Sequence, residues 1–245
     1  MFGQYQNIII EVSYLLAAVF FIMGLKGLGH PRTAVRGNFF GAVGMFIAIV
    51  ATLLNNDVMT NNTDIIALLI AGAAVGALIG AVLSIKIKMT SMPELVAIFN
   101  GFGGLASVLV AAGVLYSLQP VDLNNYQMTI STGISGLIGS VTFLGSLVAF
   151  GKLYGLRIVP DAAVRYPGEQ VVKVLLLAGA IFLTVMIVKE PHNMQWYWIM
   201  AGVGSLLGIL LVIAIGGADM PVVIALMNSY SGIAAAATGF VLSNS

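Results

Sequence analysis

The amino-acid sequence predicts an all-α integral membrane protein with eight transmembrane helices, and three observations support this prediction. First, 60% of the 245 residues are hydrophobic and only 8% are charged, whereas charged residues make up about 25% of an ordinary soluble domain. Second, eight mostly apolar stretches are each long enough to cross a bilayer. Third, nine of the ten basic residues fall in alternate joins between those stretches or at the adjacent helix ends, which places them on one side of the membrane.

The predicted helices follow one another closely along the chain. They cover approximately residues 8–28, 37–54, 63–84, 93–118, 130–151, 170–188, 194–215 and 222–242. The joins are short except for residues 152–169, and several contain a helix breaker: Pro31, Pro120, Pro160, Pro167, Pro191 and the Gly216–Gly217 pair. We treat residues 1–245 as one transmembrane domain.

The basic residues orient these helices. Nine of them lie in alternate joins or at the adjacent helix ends: Lys26, Arg32, Arg36, Lys86, Lys88, Lys152, Arg157, Arg165 and Lys173. The opposite side has only Lys189. Because cytoplasmic loops are enriched in Lys and Arg, the N-terminus is predicted to lie outside. Helices four and eight, separated by three crossings, then run in the same direction.

A local pattern occurs twice, at the starts of helices four and eight. Residues 92–106 read MPELVAIFNGFGGLA and residues 220–234 read MPVVIALMNSYSGIA, so Met, Pro, Ala, Asn and Gly coincide at a constant offset of 128. On a helix these positions form one stripe. The two stripes are Pro93, Ala97, Asn100 and Gly104, and Pro221, Ala225, Asn228 and Gly232. The pattern predicts a parallel helix 4/helix 8 repeat.

Polar residues inside the predicted helices are the candidates for an ion path. No acid, Lys, Arg or His occurs at the middle of any predicted helix, and the deepest polar groups are amides and hydroxyls. The candidate residues are Asn100, Asn228, Ser229, Tyr230 and Ser231. In hydrocarbon such groups face a bundle interior or a wet cavity. The alternative is that the amides only join helices by hydrogen bonds.

A second set of candidates lies where the two repeat helices begin, on the predicted cytoplasmic side. It comprises Glu94, Asp219, Gly216 and Gly217. The two acids can complement the helix dipole, which stabilises a helix by about 0.3–1 kcal/mol. They can also form a proton entry or docking site at the cytoplasmic mouth.

Composition excludes several classes of function. A net charge of +1 argues against a nucleic-acid partner. The chain has no cysteine, and its two histidines fall in predicted loops, so no metal site is predicted. Neither a GxGxxG after a strand nor a GxxxxGK[ST] occurs, so no nucleotide or other cofactor is expected to bind this chain.

These blocks resemble the membrane domain of the β subunit of proton-translocating NAD(P) transhydrogenase. The resemblance rests on residues 216–244, 89–106 and 141–153, with weaker support from residues 36–44. It implies a domain that couples proton movement to hydride transfer between NAD(H) and NADP(H) in soluble domains. It also implies a further helix and an NADP(H)-binding domain after Ser245, and a bacterial cytoplasmic membrane.

The resemblance further implies partners, and this sequence differs from similar proteins at one site. The partners are the membrane helices and soluble NAD(H) domain of an α subunit, in a dimer of α/β units. Asn228 matches the family's functional asparagine, whereas Asn100 stands where similar proteins often carry a proton-carrying histidine. A histidine on an α-subunit helix is then the expected carrier. The alternatives are a small-solute secondary transporter with a parallel internal repeat, and a purely structural assembly subunit.

Overall fold

The computed structural model describes residues 2–54, 63–117 and 126–242, and these ranges contain eight long helices and no strand. The helices are α1 (Phe2–Leu28), α2 (Ala34–Leu53), α3 (Thr63–Lys86), α4 (Met92–Ser117), α5 (Tyr126–Tyr154), α6 (Glu169–Lys189), α7 (Met194–Ile213) and α8 (Met220–Val241). All eight are long and apolar enough to cross a membrane. The predicted all-α class and helix number are therefore confirmed.

Helix ends differ from the hydropathy prediction by a few residues. The largest differences are at α1, which begins at Phe2 instead of residue 8, and at α5, which is longer at both ends. At the start of α5, Thr129 donates a hydrogen bond from its Oγ1 to the carbonyl of Tyr126. Polar residues thus extend the helix beyond its apolar window. Pro120 and the predicted end of helix four at residue 118 lie outside the described residues.

The chain forms two compact units, residues 1–86 and 87–245. In the first unit, α1 and α2 pack as an antiparallel pair through glycines. A Cβ on Gly27 would lie 2.7 Å from the Cα of Gly37, so the two backbones are close together there. Toward the other end of the pair, the hydroxyls of Tyr14 and Thr52 are 2.9 Å apart.

The second unit is built around α5, on which α4, α7 and α8 pack. α4 and α5 approach most closely at Gly104 and Gly139, where a Cβ on either residue would lie within 2.7 Å of the other's carbonyl oxygen. α7 approaches α5 at Gly208, where a Cβ would overlap the backbone of Val141. Small residues allow such close packing between membrane helices. This packing explains the many glycines, serines and threonines of α5.

α4 and α8 lie side by side and run in the same direction. Their first turns border one groove, and further along Ser231 contacts the Asn100 carbonyl at 3.4 Å. Further again, the Ser135 hydroxyl of α5 lies within hydrogen-bonding distance of carbonyls of both helices, at Ser107 (3.5 Å) and Ala234 (3.3 Å). The contacts therefore occur in the same order along both helices. A common origin of α4 and α8 by duplication stays a prediction.

Candidate functional site

Asn100 lies in a buried polar contact between α4 and α5. Its side chain is buried, and its amide Nδ2 donates to the Ser146 hydroxyl at 2.8 Å. The approach of α5 is possible because Gly101 and Gly104 flank the amide on α4. A Cβ on Gly101 would already touch the Ser146 Cβ at 3.4 Å. The sequence thus provides both the polar group and the small neighbours that admit its partner.

Two polar atoms in this contact have no hydrogen-bond partner within the described ranges. They are the Asn100 Oδ1 and, one turn before Ser146 on α5, the Thr142 Oγ1. A Cβ on Gly104 would lie 3.2 Å from the Thr142 Cβ, so both groups belong to the same seam between α4 and α5. Buried polar groups are almost always paired with protein or water. This seam therefore contains an unpaired acceptor, the Asn100 Oδ1, and an unpaired hydroxyl, that of Thr142.

The two Pro–Asn stripes have the same spacing but different surroundings. On α4, Ala97, Asn100 and Gly104 are buried. On α8, the whole equivalent stripe, which includes Asn228, is exposed. The reason is that α8 packs through another face, which carries Val223, Ile224, Met227 and Ala234.

The described part of this chain therefore does not enclose Asn100 and Asn228 in one interior. Asn228 instead lines an open groove of about 350 Å³ between the first halves of α4 and α8. Pro93 and Val96 border it on α4, and Pro221 and Ala225 border it on α8.

The other polar residues of α8 divide between two sides of the helix. Ser231 is the one that reaches the seam, through its contact with the Asn100 carbonyl. Ser229 is exposed. Tyr230 lines a separate, mostly apolar groove of about 430 Å³, which α5, α6 and α7 also border and which contains Lys173. The structure thus brings Asn100 and Ser231 together and leaves Tyr230 apart.

The candidates at the predicted cytoplasmic mouth lie at the starts of the two helices. Glu94 is in the first turn of α4, and Asp219 immediately precedes α8 without a capping hydrogen bond from its side chain. Gly217 lies against the carboxylate of the exposed Asp161, which a Cβ on Gly217 would displace. Gly216 has extended backbone angles, and a Cβ on it would meet no atom within 4 Å.

Two parts of the site were not among the sequence candidates. Ser146 and Thr142 complete the seam, but α5 carries so many hydroxyl residues that spacing alone does not select these two. Lys152 was predicted to belong to the basic join after helix five, and the structure places it in the last turn of α5 with its side chain buried. Across the described ranges no group of three or more His, Asp or Glu residues could hold a metal ion.

Eight apolar helices and a buried polar seam define a multi-pass, all-α membrane protein. The profile of the family described as NAD(P) transhydrogenase beta subunit matches residues 10–245. The chain belongs to this family.

Two curated relatives, both from Rhodospirillum rubrum and both named NAD(P) transhydrogenase subunit beta, are each 39% identical over 237 residues. The aligned region covers 95% of this chain and 49% of each relative. The chain thus spans about half the length of the curated relatives it matches.

Proposed function

We propose that this chain forms the membrane part of a proton-translocating NAD(P) transhydrogenase. Its helices would conduct protons and couple that movement to hydride transfer between NAD(H) and NADP(H) in soluble domains outside these 245 residues. The observation that carries the proposal is the buried Asn100 amide beside Ser146 and Thr142, in a chain of the beta-subunit family. Polar groups inside membrane helices commonly mark ion pathways.

The proton carrier in this proposal comes from a partner polypeptide. Asn and Ser side chains do not titrate, so they can orient a carrier but cannot replace it. The open groove at Asn228 supports a position for an α-subunit helix against α4 and α8. A histidine on that helix would have Asn228, together with Ser229 or Ser231, on its α8 side. Its ordinary pKa of about 6.5 suits a carrier near neutral pH.

The same proposal assigns the partners and the location. The α subunit contributes membrane helices and a soluble NAD(H) domain, and an NADP(H) domain belongs to the β subunit itself. Two α/β units pair in a bacterial cytoplasmic membrane. Hydride transfer and both cofactors lie in the soluble domains, so this chain alone would be inactive in hydride transfer.

The starts of α4 and α8 are proposed to sense the NADP(H) domain. Asp219 is exposed and makes no capping hydrogen bond with its side chain, which leaves its carboxylate open to another domain. Glu94, in the first turn of α4, belongs to the same end of the unit. Gly216 and Gly217 connect α7 to this position.

The proposal is tested in proteoliposomes that contain the complete α/β complex. Hydride transfer from NADH to an NADP⁺ analogue should accelerate when a proton gradient is imposed. Asp219→Asn should lose most of that acceleration but keep the rate measured without a gradient, because the carboxylate senses the soluble domain and does not touch hydride.

Two results would contradict parts of this proposal. Unchanged gradient stimulation in Asp219→Asn would return Asp219 to the helix-dipole interpretation. An absence of hydride transfer, together with gradient-driven uptake of a small solute, would favour the transporter alternative.

The orientation gives a separate prediction. The loops around residues 29–36, 85–92, 152–169 and 216–221 are proposed to be cytoplasmic, with the N-terminus outside. Single cysteines at Arg36 and Arg157 should react with a membrane-impermeant maleimide only after the inner face is exposed. The chain has no native cysteine, so labelling needs no further substitutions in it. Labelling of either position in intact cells would reverse the proposed orientation.

A further inference from the structure

Lys152 is a buried lysine at the end of α5 whose ammonium is fully engaged. The residue is 3% exposed. Its Nζ donates to three backbone carbonyls, at Ala162 (3.1 Å), Ile213 (3.1 Å) and Ile215 (2.7 Å). An ammonium has three donors and no acceptor, so these bonds use its whole hydrogen-bonding capacity. A residue tied in this way has no free donor for another domain.

The three acceptors come from two different segments of the chain. Ala162 lies in the loop between α5 and α6, whereas Ile213 and Ile215 lie at the end of α7 and in the join to α8. Ile213 is the last residue of α7, and the last carbonyls of a helix have no partner within it. A positive charge at that end also complements the helix dipole. Lys152 therefore stabilises the end of α7 and fastens it to the loop.

Direct backbone bonds run between the same two segments. The Val164 amide donates to the Ile213 carbonyl at 3.1 Å, and the Gly217 amide donates to the Asp161 carbonyl at 3.0 Å. The Asp161 carboxylate also lies against the Cα of Gly217, where a larger residue would overlap it. The loop around residues 161–164 thus runs alongside residues 213–217, and the Lys152 ammonium bonds to both.

We propose that Lys152 is a positioning residue that fixes the start of α8. Its three bonds determine where α7 ends and where the chain enters α8 at Met220, one residue before Pro221. The first turns of α8 then pack on α5 through Val223 and Met227, in a cluster with Ala149 of α5. The depth and rotation of α8 decide whether Ser231 meets Asn100 and whether Asn228 opens to its groove. This inference concerns the geometry of the chain and does not depend on the proposed function.

The first test is hydrogen exchange of the membrane-embedded protein with Lys152→Met, which keeps much of the side-chain length and removes the charge. Amides in residues 161–165 and 214–218 should exchange about tenfold faster or more, since hydrogen bonds to charged groups are among the stronger ones. Arg157→Gln is the matched control, because it removes an exposed cation of the same loop. Its exchange should equal that of the unsubstituted protein. Equal exchange in Lys152→Met and the unsubstituted protein would overturn the proposal, as would an equal gain in Arg157→Gln.

A second test separates charge from space and still works if the methionine variant is unstable. Lys152→Cys introduces a single thiol into a chain without cysteine. Modification with aminoethyl methanethiosulfonate restores an ammonium on a side chain one atom longer than that of lysine, whereas methyl methanethiosulfonate adds only a neutral group. The aminoethyl product should regain the slow exchange, and the methyl product should not. Equal recovery with both reagents would show that filling the space is sufficient and would overturn the proposal.

A third measurement asks whether the effect reaches α8. Ala225 borders the groove at Asn228, so Ala225→Cys reports on the position of α8 relative to α4. In the Lys152→Met background, its reaction with a small maleimide should be faster by about threefold or more, because the start of α8 is no longer held. A purely local loosening of the loop would leave this rate unchanged, and that result would refute a positioning role.

Discussion

Asn228→Leu is expected to abolish proton-coupled hydride transfer in the assembled α/β complex while the membrane unit stays folded. Asn228 is exposed to the groove between α4 and α8, and among the described residues it has no hydrogen-bond partner. Leucine is similar in size and stable in a membrane helix, so folding should not suffer. It removes the amide that would orient the partner's histidine and dries the groove. The loss should be about a hundredfold or more, the size typical of positioned proton-transfer groups.

The measurement is gradient-stimulated turnover, with uncoupled hydride transfer and the thermal unfolding midpoint as controls. Asn228→Gln keeps an amide one methylene further out and should retain part of the coupled rate. Ala225→Leu adds apolar bulk to the same groove without removing the amide. It therefore distinguishes the effect of excluding water from the effect of losing the amide. Full coupled turnover in Asn228→Leu would make Asn228 a packing residue.

The contrast between the two stripes explains how far the sequence could predict this site. Period and spacing identified helices four and eight and placed each Asn seven residues after its Pro. The spacing of residues along a helix predicts which of them share one face, but it does not predict which other helix covers that face. The face of Asn100 is covered by α5, because Gly104 and Gly139 bring the two backbones together. The corresponding face of α8 has no such neighbour in the described structure, so identical spacing gave one buried amide and one exposed amide.

Lys152 illustrates a second limit of sequence reasoning. It stands in a run of cations after a predicted helix, and such residues are usually solvated. Its burial depends on carbonyls of Ile213 and Ile215, which lie about 60 residues further along the chain. No local pattern reports that contact. The prediction was correct in placing a long join between α5 and α6, but it did not distinguish the buried Lys152 from the exposed Arg157 and Arg165.

The exact ends of the helices are a third feature that hydropathy alone does not predict. The core of α5 was predicted from its apolar residues, but the helix extends to Tyr126 and Tyr154, beyond the apolar stretch. The added residues at the two ends include polar ones such as Gln127, Thr129 and Lys152. They add little hydropathy, so the apolar window ends before the helix does.

Asn100→His is expected to give this chain a proton carrier of its own. Asn100 is buried against Ser146 and has an unpaired Oδ1, so the position already has a polar partner and one unused hydrogen-bond acceptor. A neutral imidazole offers one donor and one acceptor, and unlike the amide it titrates, with an ordinary pKa of about 6.5. In a complex whose partner helices have had their histidines replaced, coupled turnover should be absent with Asn100 and should return with Asn100→His.

The pH profile distinguishes a carrier from a repaired contact. A carrier must be protonated and deprotonated in each cycle, so coupled turnover in Asn100→His should fall on both sides of the pH at which the new imidazole titrates. Asn100→Gln retains a non-titrating amide at the same position and should not restore turnover at any pH. The comparison is made as gradient-stimulated rate against pH in proteoliposomes. If Asn100→Gln restores turnover as well as Asn100→His does, or if neither restores it, then the seam between α4 and α5 does not conduct protons. Asn100 would in that case serve only to join α4 to α5.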